Sequence, residues 1–165
     1  MSRLLLLLLT SLCSFSAQAA DSVAVERFER LKELAVGAWQ GTTDGGGSVR
    51  VEYRTISRGS VLVEVWQPGT RAETMTVFHR DGERVIATHY CAQGNQPRLV
   101  LAERSSKTFA FEYLDATNLV EGASHLHGLV LAPVAEGGLQ RDETYRGASG
   151  DETSHLRLRR VADKP

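Results

Sequence analysis

From Gly37 onward, apolar and polar residues alternate with a period of two. Val49, Val51 and Tyr53 take one side of Val49–Ile56, and Arg50, Glu52 and Arg54 take the other. That is the pattern of a strand buried on one face. Further segments of the same kind follow: Val61–Gln67, Thr74–His79, Glu83–Cys91, Arg98–Glu103, Lys107–Tyr113, Ser124–Leu131, Leu139–Tyr145 and Ser154–Val161. Turn-forming pairs such as Arg58-Gly59 and Pro68-Gly69 separate them. Phe109, Phe111 and Tyr113 share a face, as do His125, His127, Leu129 and Leu131. One helix precedes the strands. Within Asp21–Val36, the residues Val25, Phe28, Leu31, Leu34 and Ala35 recur at helical spacing. Asp21 or Ser22 is placed to cap it and Gly37 to end it. Many short strands with no second long helix predict an all-β fold: a single antiparallel up-and-down barrel of about 8–10 strands, with the helix covering one open end.

The centre of the pattern is Met75–Pro97. Asp81-Gly82 between two apolar runs predicts a hairpin with a two-residue type I′ loop. That loop would pair Arg80 with Glu83, His79 with Arg84, Val77 with Ile86 and Met75 with Thr88. One face then carries Met75, Val77, His79, Arg84, Ile86, Thr88 and Tyr90. The other carries Thr74, Thr76, Phe78, Val85, Ala87, His89 and Cys91. Neither set is plainly polar, so the pattern does not choose the lumen face.

The first 19 residues change the setting. Arg3 precedes the apolar run Leu4–Leu9, and Ala17-Gln18-Ala19 follows as an A-x-A site. This is a secretory signal peptide by pattern, too short to span a membrane. Processing would start the chain at Ala20, in the periplasm or outside the cell. The expected divisions are a signal peptide at 1–19, a capping helix at 20–36, a barrel at 37–161 and a tail at 162–165. Cys13 would leave with the leader, so Cys91 would have no intramolecular disulfide partner. Nineteen Lys and Arg face 20 Asp and Glu; loss of Arg3 moves the net charge from −1 to −2. Such a balance excludes nucleic acid as an electrostatic partner.

Gly37-Ala38-Trp39-Gln40-Gly41, just after a short N-terminal helix, is similar to the first strand of calycin barrels: lipocalins, fatty-acid-binding proteins and nitrobindin-like proteins. The resemblance implies that Trp39 packs across one end of the barrel. Tyr90–Arg98, with its Thr88-His89-Tyr90-Cys91 lead-in and Gly94-Asn95-Gln96-Pro97 turn, resembles a group of secreted bacterial lipocalin-like proteins of no assigned activity. Nitrobindin-like proteins hold haem through a histidine, but the resemblance maps that role onto no single histidine of this chain.

The expected function is non-covalent binding of a small hydrophobic or amphipathic molecule in the lumen. Trp39, Tyr53, Trp66, Phe78, His89, Phe111, His125 and His127 are the expected ligand-binding residues. Aromatic rings would supply contact area and histidines orientation. A second reading is a metal or haem barrel. His89 and Cys91 share a strand face, and so do His125 and His127. Those four would bind zinc or copper if they converged. A third is a filled structural barrel without ligand. Catalysis is not expected. His89 and Cys91 would project in parallel, their Cα atoms roughly 6.5 Å apart. No Gly-x-Ser-x-Gly is present.

Overall fold

The computed structural model describes residues 23–43, 45–102 and 107–162. Helix α1 (23–35) precedes ten strands. These are β1 (Gly37–Thr42), β2 (Ser48–Ile56), β3 (Val61–Trp66), β4 (Thr74–Asp81), β5 (Arg84–Tyr90), β6 (Gln96–Leu101), β7 (Phe109–Thr117), β8 (His125–Val134), β9 (Gly138–Gly147) and β10 (Gly150–Val161). Every strand pairs antiparallel with its neighbours in sequence, and β10 returns to β1, so the sheet closes as an up-and-down barrel. The expected leader, Cys13, the cap at Asp21 or Ser22, Glu103 and the last three residues of the tail lie outside the described residues.

Helix α1 lies against the end where β2 turns into β3 and β6 into β7. Arg27 Nη1 donates to the Ala102 carbonyl at 2.9 Å, and Lys32 Nζ to the Gly59 carbonyl at 2.9 Å. Phe28, Leu31 and Ala35 enter the barrel core. Ala24 extends that buried stripe, and Val25, expected on it, is exposed. The reason is helical phase: 24, 28, 31 and 35 form one line and 25 falls beside it.

Trp39 fastens the helix to the barrel. Its ring is 1 % exposed, and its Nε1 donates to the Ala35 carbonyl at 2.7 Å. The Arg160 guanidinium sits 4.3 Å from the Trp39 ring centre, and its Nη1 donates to the Val36 carbonyl at 2.6 Å. Between them Gly37 has φ +132°, and a Cβ there would collide with Arg160 Nη1. Only glycine accepts both conditions.

The central hairpin keeps the two expected faces but not the expected register. Asp81 pairs with Arg84, Phe78 with Ala87, Thr76 with His89 and Met75 with Tyr90. The loop is Gly82-Glu83, and of these two only Gly82 takes positive φ, +59°. That is the demand of a II′ turn, with glycine first, rather than of the I′ turn expected for Asp81-Gly82. Thr76, Phe78, Val85, Ala87 and His89 are buried, so their face lines the interior.

Strand β8 departs from plain alternation. Its register with β9 shifts between Leu126 and Gly128. A bulge of this kind re-aims side chains. Leu126 therefore joins Leu129 and Leu131 in the core, instead of the expected line of His125, His127, Leu129 and Leu131.

The helix half of the lumen is solid. Trp39, Phe78, Phe111, Leu31, Leu62, Leu129, Leu131, Leu139, Leu156 and Leu158 belong to one buried cluster. Phe78 and Phe111 meet edge to face with ring centres 5.3 Å apart. Each such side chain contributes about 1.5–3 kcal/mol by burial. The other half of the interior is different.

Candidate functional site

Glu64 sits at the fourth position of β3, in phase with Leu62 and Trp66, and is 1 % exposed. Register places it in a row of inward residues across four strands: Tyr53 on β2, Glu64 on β3, Thr76 on β4 and His89 on β5. A carboxylate so deep needs a cation and hydrogen-bond donors. The cation is Arg141 from β9, which does not neighbour β3. The pair therefore spans the lumen.

Arg141 Nε donates to Glu64 Oε2 at 3.1 Å and Nη2 to Oε1 at 2.8 Å. Tyr53 Oη donates to Oε2 at 2.5 Å, and Thr76 Oγ1 to Oε1 at 3.1 Å. Four donors thus hold one carboxylate. Arg141 Nη2 also meets Glu143 Oε1 at 2.9 Å, and the Trp66 ring centre lies 4.7 Å from the guanidinium.

The same bonds fix the His89 tautomer. The Thr76 hydroxyl gives its proton to Glu64, so at 3.0 Å from His89 Nδ1 it accepts. Nδ1 carries the hydrogen, and Nε2 is left to accept from Tyr145 Oη at 3.3 Å. A directed chain runs Tyr145 to His89 to Thr76 to Glu64.

Burial dominates the charge states. It lowers His89 below its ordinary value, against the pull of Glu64 and Glu143, and keeps the ring neutral. It raises Tyr53 well above the phenol range, helped by the Glu64 charge. Tyr145 is raised by burial and by Glu143. For Glu64, burial pushes the carboxyl up, but the Arg141 charge and the bonds from Arg141 and Tyr53 overcome it, leaving it below the usual carboxylate range. Arg141 is pushed down by burial and further up by Glu143 and Glu64.

Above this layer the barrel opens at the end away from α1. A cavity of about 220 Å³ is lined by Trp66, Ala72, Thr74, Cys91, Ala92, Gln93, Glu143 and Tyr145. Cys91 is half-buried and lies beside Tyr145. A larger groove, about 880 Å³, crosses the β1–β10 seam past Gly41, Gly138, His155, Arg157 and Arg159. Its histidine and arginines are exposed, and the acid tied to it through His155, Asp142, forms its ion pair with that exposed histidine at 3.1 Å. The mouth is the stronger site because structure has been invested beneath it.

The expected site residues divide into three groups. Tyr53, Trp66 and His89 meet in the polar layer or at the mouth. Trp39, Phe78 and Phe111 are buried packing in the filled half. His125 and His127 gather with Tyr113 instead: Tyr113 stacks on His127 at 4.9 Å, and His127 Nδ1 lies 3.3 Å from His125 Nε2. Burial, Arg146 and His125 lower His127 below its ordinary value. His125 borders a separate pocket under Leu119–Ala123.

His89, Cys91, His125 and His127 do not converge: no metal-suited group of three or more His, Cys, Asp or Glu is found among the described residues. Haem fits no better at His89, where both ring nitrogens are hydrogen-bonded and the cavity is too small for a macrocycle.

Glu64, Thr76, Arg141, Glu143 and Tyr145 were not expected at the site. The signal for Glu64 was an acid inside Leu62-Val63-Glu64-Val65-Trp66, for Thr76 its parity with Phe78, and for Arg141, Glu143 and Tyr145 the parity they share with Leu139.

Compared with models of known protein families and with curated proteins, the chain matches none. Fold and site together define a closed ten-stranded antiparallel barrel, compatible with a calycin-like fold, with a polar layer under one open end.

Proposed function

We propose that this protein is a secreted or periplasmic lipocalin-like barrel that binds a small, partly apolar molecule non-covalently at its mouth, without catalysis. One observation carries the reading: a roughly 220 Å³ cavity, walled by Trp66 and Tyr145, stands directly above a charged layer held by four donors. Locked groups favour recognition over proton transfer. Glu64 has a low proton affinity and His89 no unengaged nitrogen. Cavities for drug-sized ligands run to about 300–1,000 Å³, so the occupant is smaller than that. The packed helix half confines it to the mouth.

A structural barrel without ligand is the second reading, favoured by the same packed half. Native mass spectrometry of protein taken from periplasm tests both. A chain beginning at Ala20 with a co-purified organic mass supports the binding reading. A chain that stays in the cytoplasm with its leader intact refutes the localisation. A bare mass, together with no ligand-induced shift at Trp66, Cys91 or Tyr145 in a fragment screen, refutes binding.

A further inference from the structure

Resting on the binding reading, we propose that the mouth binds a small protonated amine, its ammonium head against Glu143 and its apolar body against Trp66 and Tyr145.

The argument starts from a charge count. Arg141 meets Glu64 through two contacts and Glu143 through a third, so two carboxylates share one guanidinium. His89, the other basic group of the layer, is kept neutral by burial. One negative charge is left over, and exposure decides where it acts. The Glu64 side chain is 1 % exposed and already holds four donors. The Glu143 side chain is 13 % exposed and lines the cavity. Among the eight described residues of that lining, Glu143 is the one charged side chain.

The rim does not balance it. Register sets Glu152 opposite Tyr145, with the inward parity of Leu156 and Leu158, so a second acid stands on the approach to the mouth. Arg71 and Glu73, on either side of Ala72, offset each other. A partly buried carboxylate that shares its counter-charge with a second acid attracts a further cation.

The acceptors present suit an ammonium, which carries three N–H donors and no acceptor. A carboxylate offers about four acceptor positions, and Arg141 takes one on Glu143. Tyr145 gives its proton to His89, so its oxygen has only lone pairs left to offer. The Trp66 and Tyr145 rings supply apolar area, and aromatic faces attract cations. A ligand carboxylate would be the third anion beside Glu64 and Glu143. A neutral ligand leaves the surplus charge unmet.

The test is a chemical-shift titration at pH 7 of the processed, ¹⁵N-labelled protein with three probes that share one ring and differ in charge: benzylamine, benzyl alcohol and benzoate. Benzylamine is expected to move the Trp66, Cys91 and Tyr145 signals and to bind at least about tenfold more tightly than benzyl alcohol, a gap of about 1.4 kcal/mol, with benzoate weakest. Glu143→Gln keeps the shape and removes the charge, so it should weaken benzylamine about tenfold and leave benzyl alcohol unchanged. Benzyl alcohol or benzoate binding as tightly as benzylamine, or a folded Glu143→Gln variant with undiminished affinity for benzylamine, overturns the amine and leaves the mouth as a binding site. No movement of mouth signals with any probe overturns both. If Glu143→Gln does not fold, the comparison of the three probes on the native chain still decides.

Discussion

Replacing Arg141 by methionine should reverse the way Glu64 links stability to pH. In the native protein burial raises the Glu64 carboxyl, but Arg141 prevails and holds it below its ordinary value. A depressed folded value adds stability that is present above the unfolded value, about 4.3, and is lost as pH falls through the folded one. Methionine fills much of the arginine stem's space and removes the cation. Glu64 keeps Tyr53 and Thr76 and loses two of its four donor contacts. Burial then dominates and the carboxyl moves above its unfolded value. Its stability contribution becomes fully present below about 4.3 and is lost as pH rises through the raised folded value. Leaving one member of a buried pair uncompensated costs about 3–5 kcal/mol. The variant should therefore lose about that much at pH 7 and clearly less at pH 4, where Glu64 takes up a proton. The lost stacking on Trp66, about 0.5–2 kcal/mol, persists at both. Urea unfolding followed by tryptophan fluorescence at pH 4, 5.5 and 7 measures the difference between variant and native chain. Carboxylates that Arg141 does not contact cancel in that difference. Equal losses at pH 4 and 7, or a loss below about 1 kcal/mol at pH 7, would refute a buried Glu64–Arg141 pair.

Three further outcomes are expected. Trp39→Ala should cost about 3–5 kcal/mol in urea unfolding, and Trp39→Phe about 1–3 kcal/mol, because the buried Ala35 carbonyl loses its donor; near-neutral values for both would remove Trp39 from the helix anchor. Gly37→Ala should cost about 1–3 kcal/mol for its strained φ, read as a lowered Tm, and an unchanged Tm would count against that backbone geometry. In the processed chain, maleimide labelling of the half-buried Cys91 should slow severalfold when a ligand found by the fragment screen fills the mouth; an unchanged rate at saturation would place that ligand elsewhere.

The strands were legible because each apolar alternation marks a wall buried on one side. Val49, Val51 and Tyr53 are buried as their spacing requires. The hairpin faces were legible for the same reason, but the register was not. Moving the loop from Asp81-Gly82 to Gly82-Glu83 shifts every pair while leaving side-chain parity intact. In β8 a local bulge reset the parity, which alternation alone does not reveal. The polar layer was least legible. Sequence spacing relates residues along one strand and, through a turn, on its neighbour. Glu64 and Arg141 are 77 positions apart and meet across the lumen, on strands that are not neighbours in the sheet. Individually they read as an acid and a base on ordinary strands. Only closure of the barrel makes them partners.

That pairing has a consequence for biosynthesis. Glu64 leaves the ribosome well ahead of Arg141, so the growing chain carries a carboxylate meant for the interior long before its counter-charge exists. A chain cut short before residue 141 holds the Tyr53, Thr76 and His89 row but no cation to neutralise it. Such a fragment cannot bury that row without protonating the acid. The lumen-spanning pair thus ties the drying of the interior to the arrival of β9.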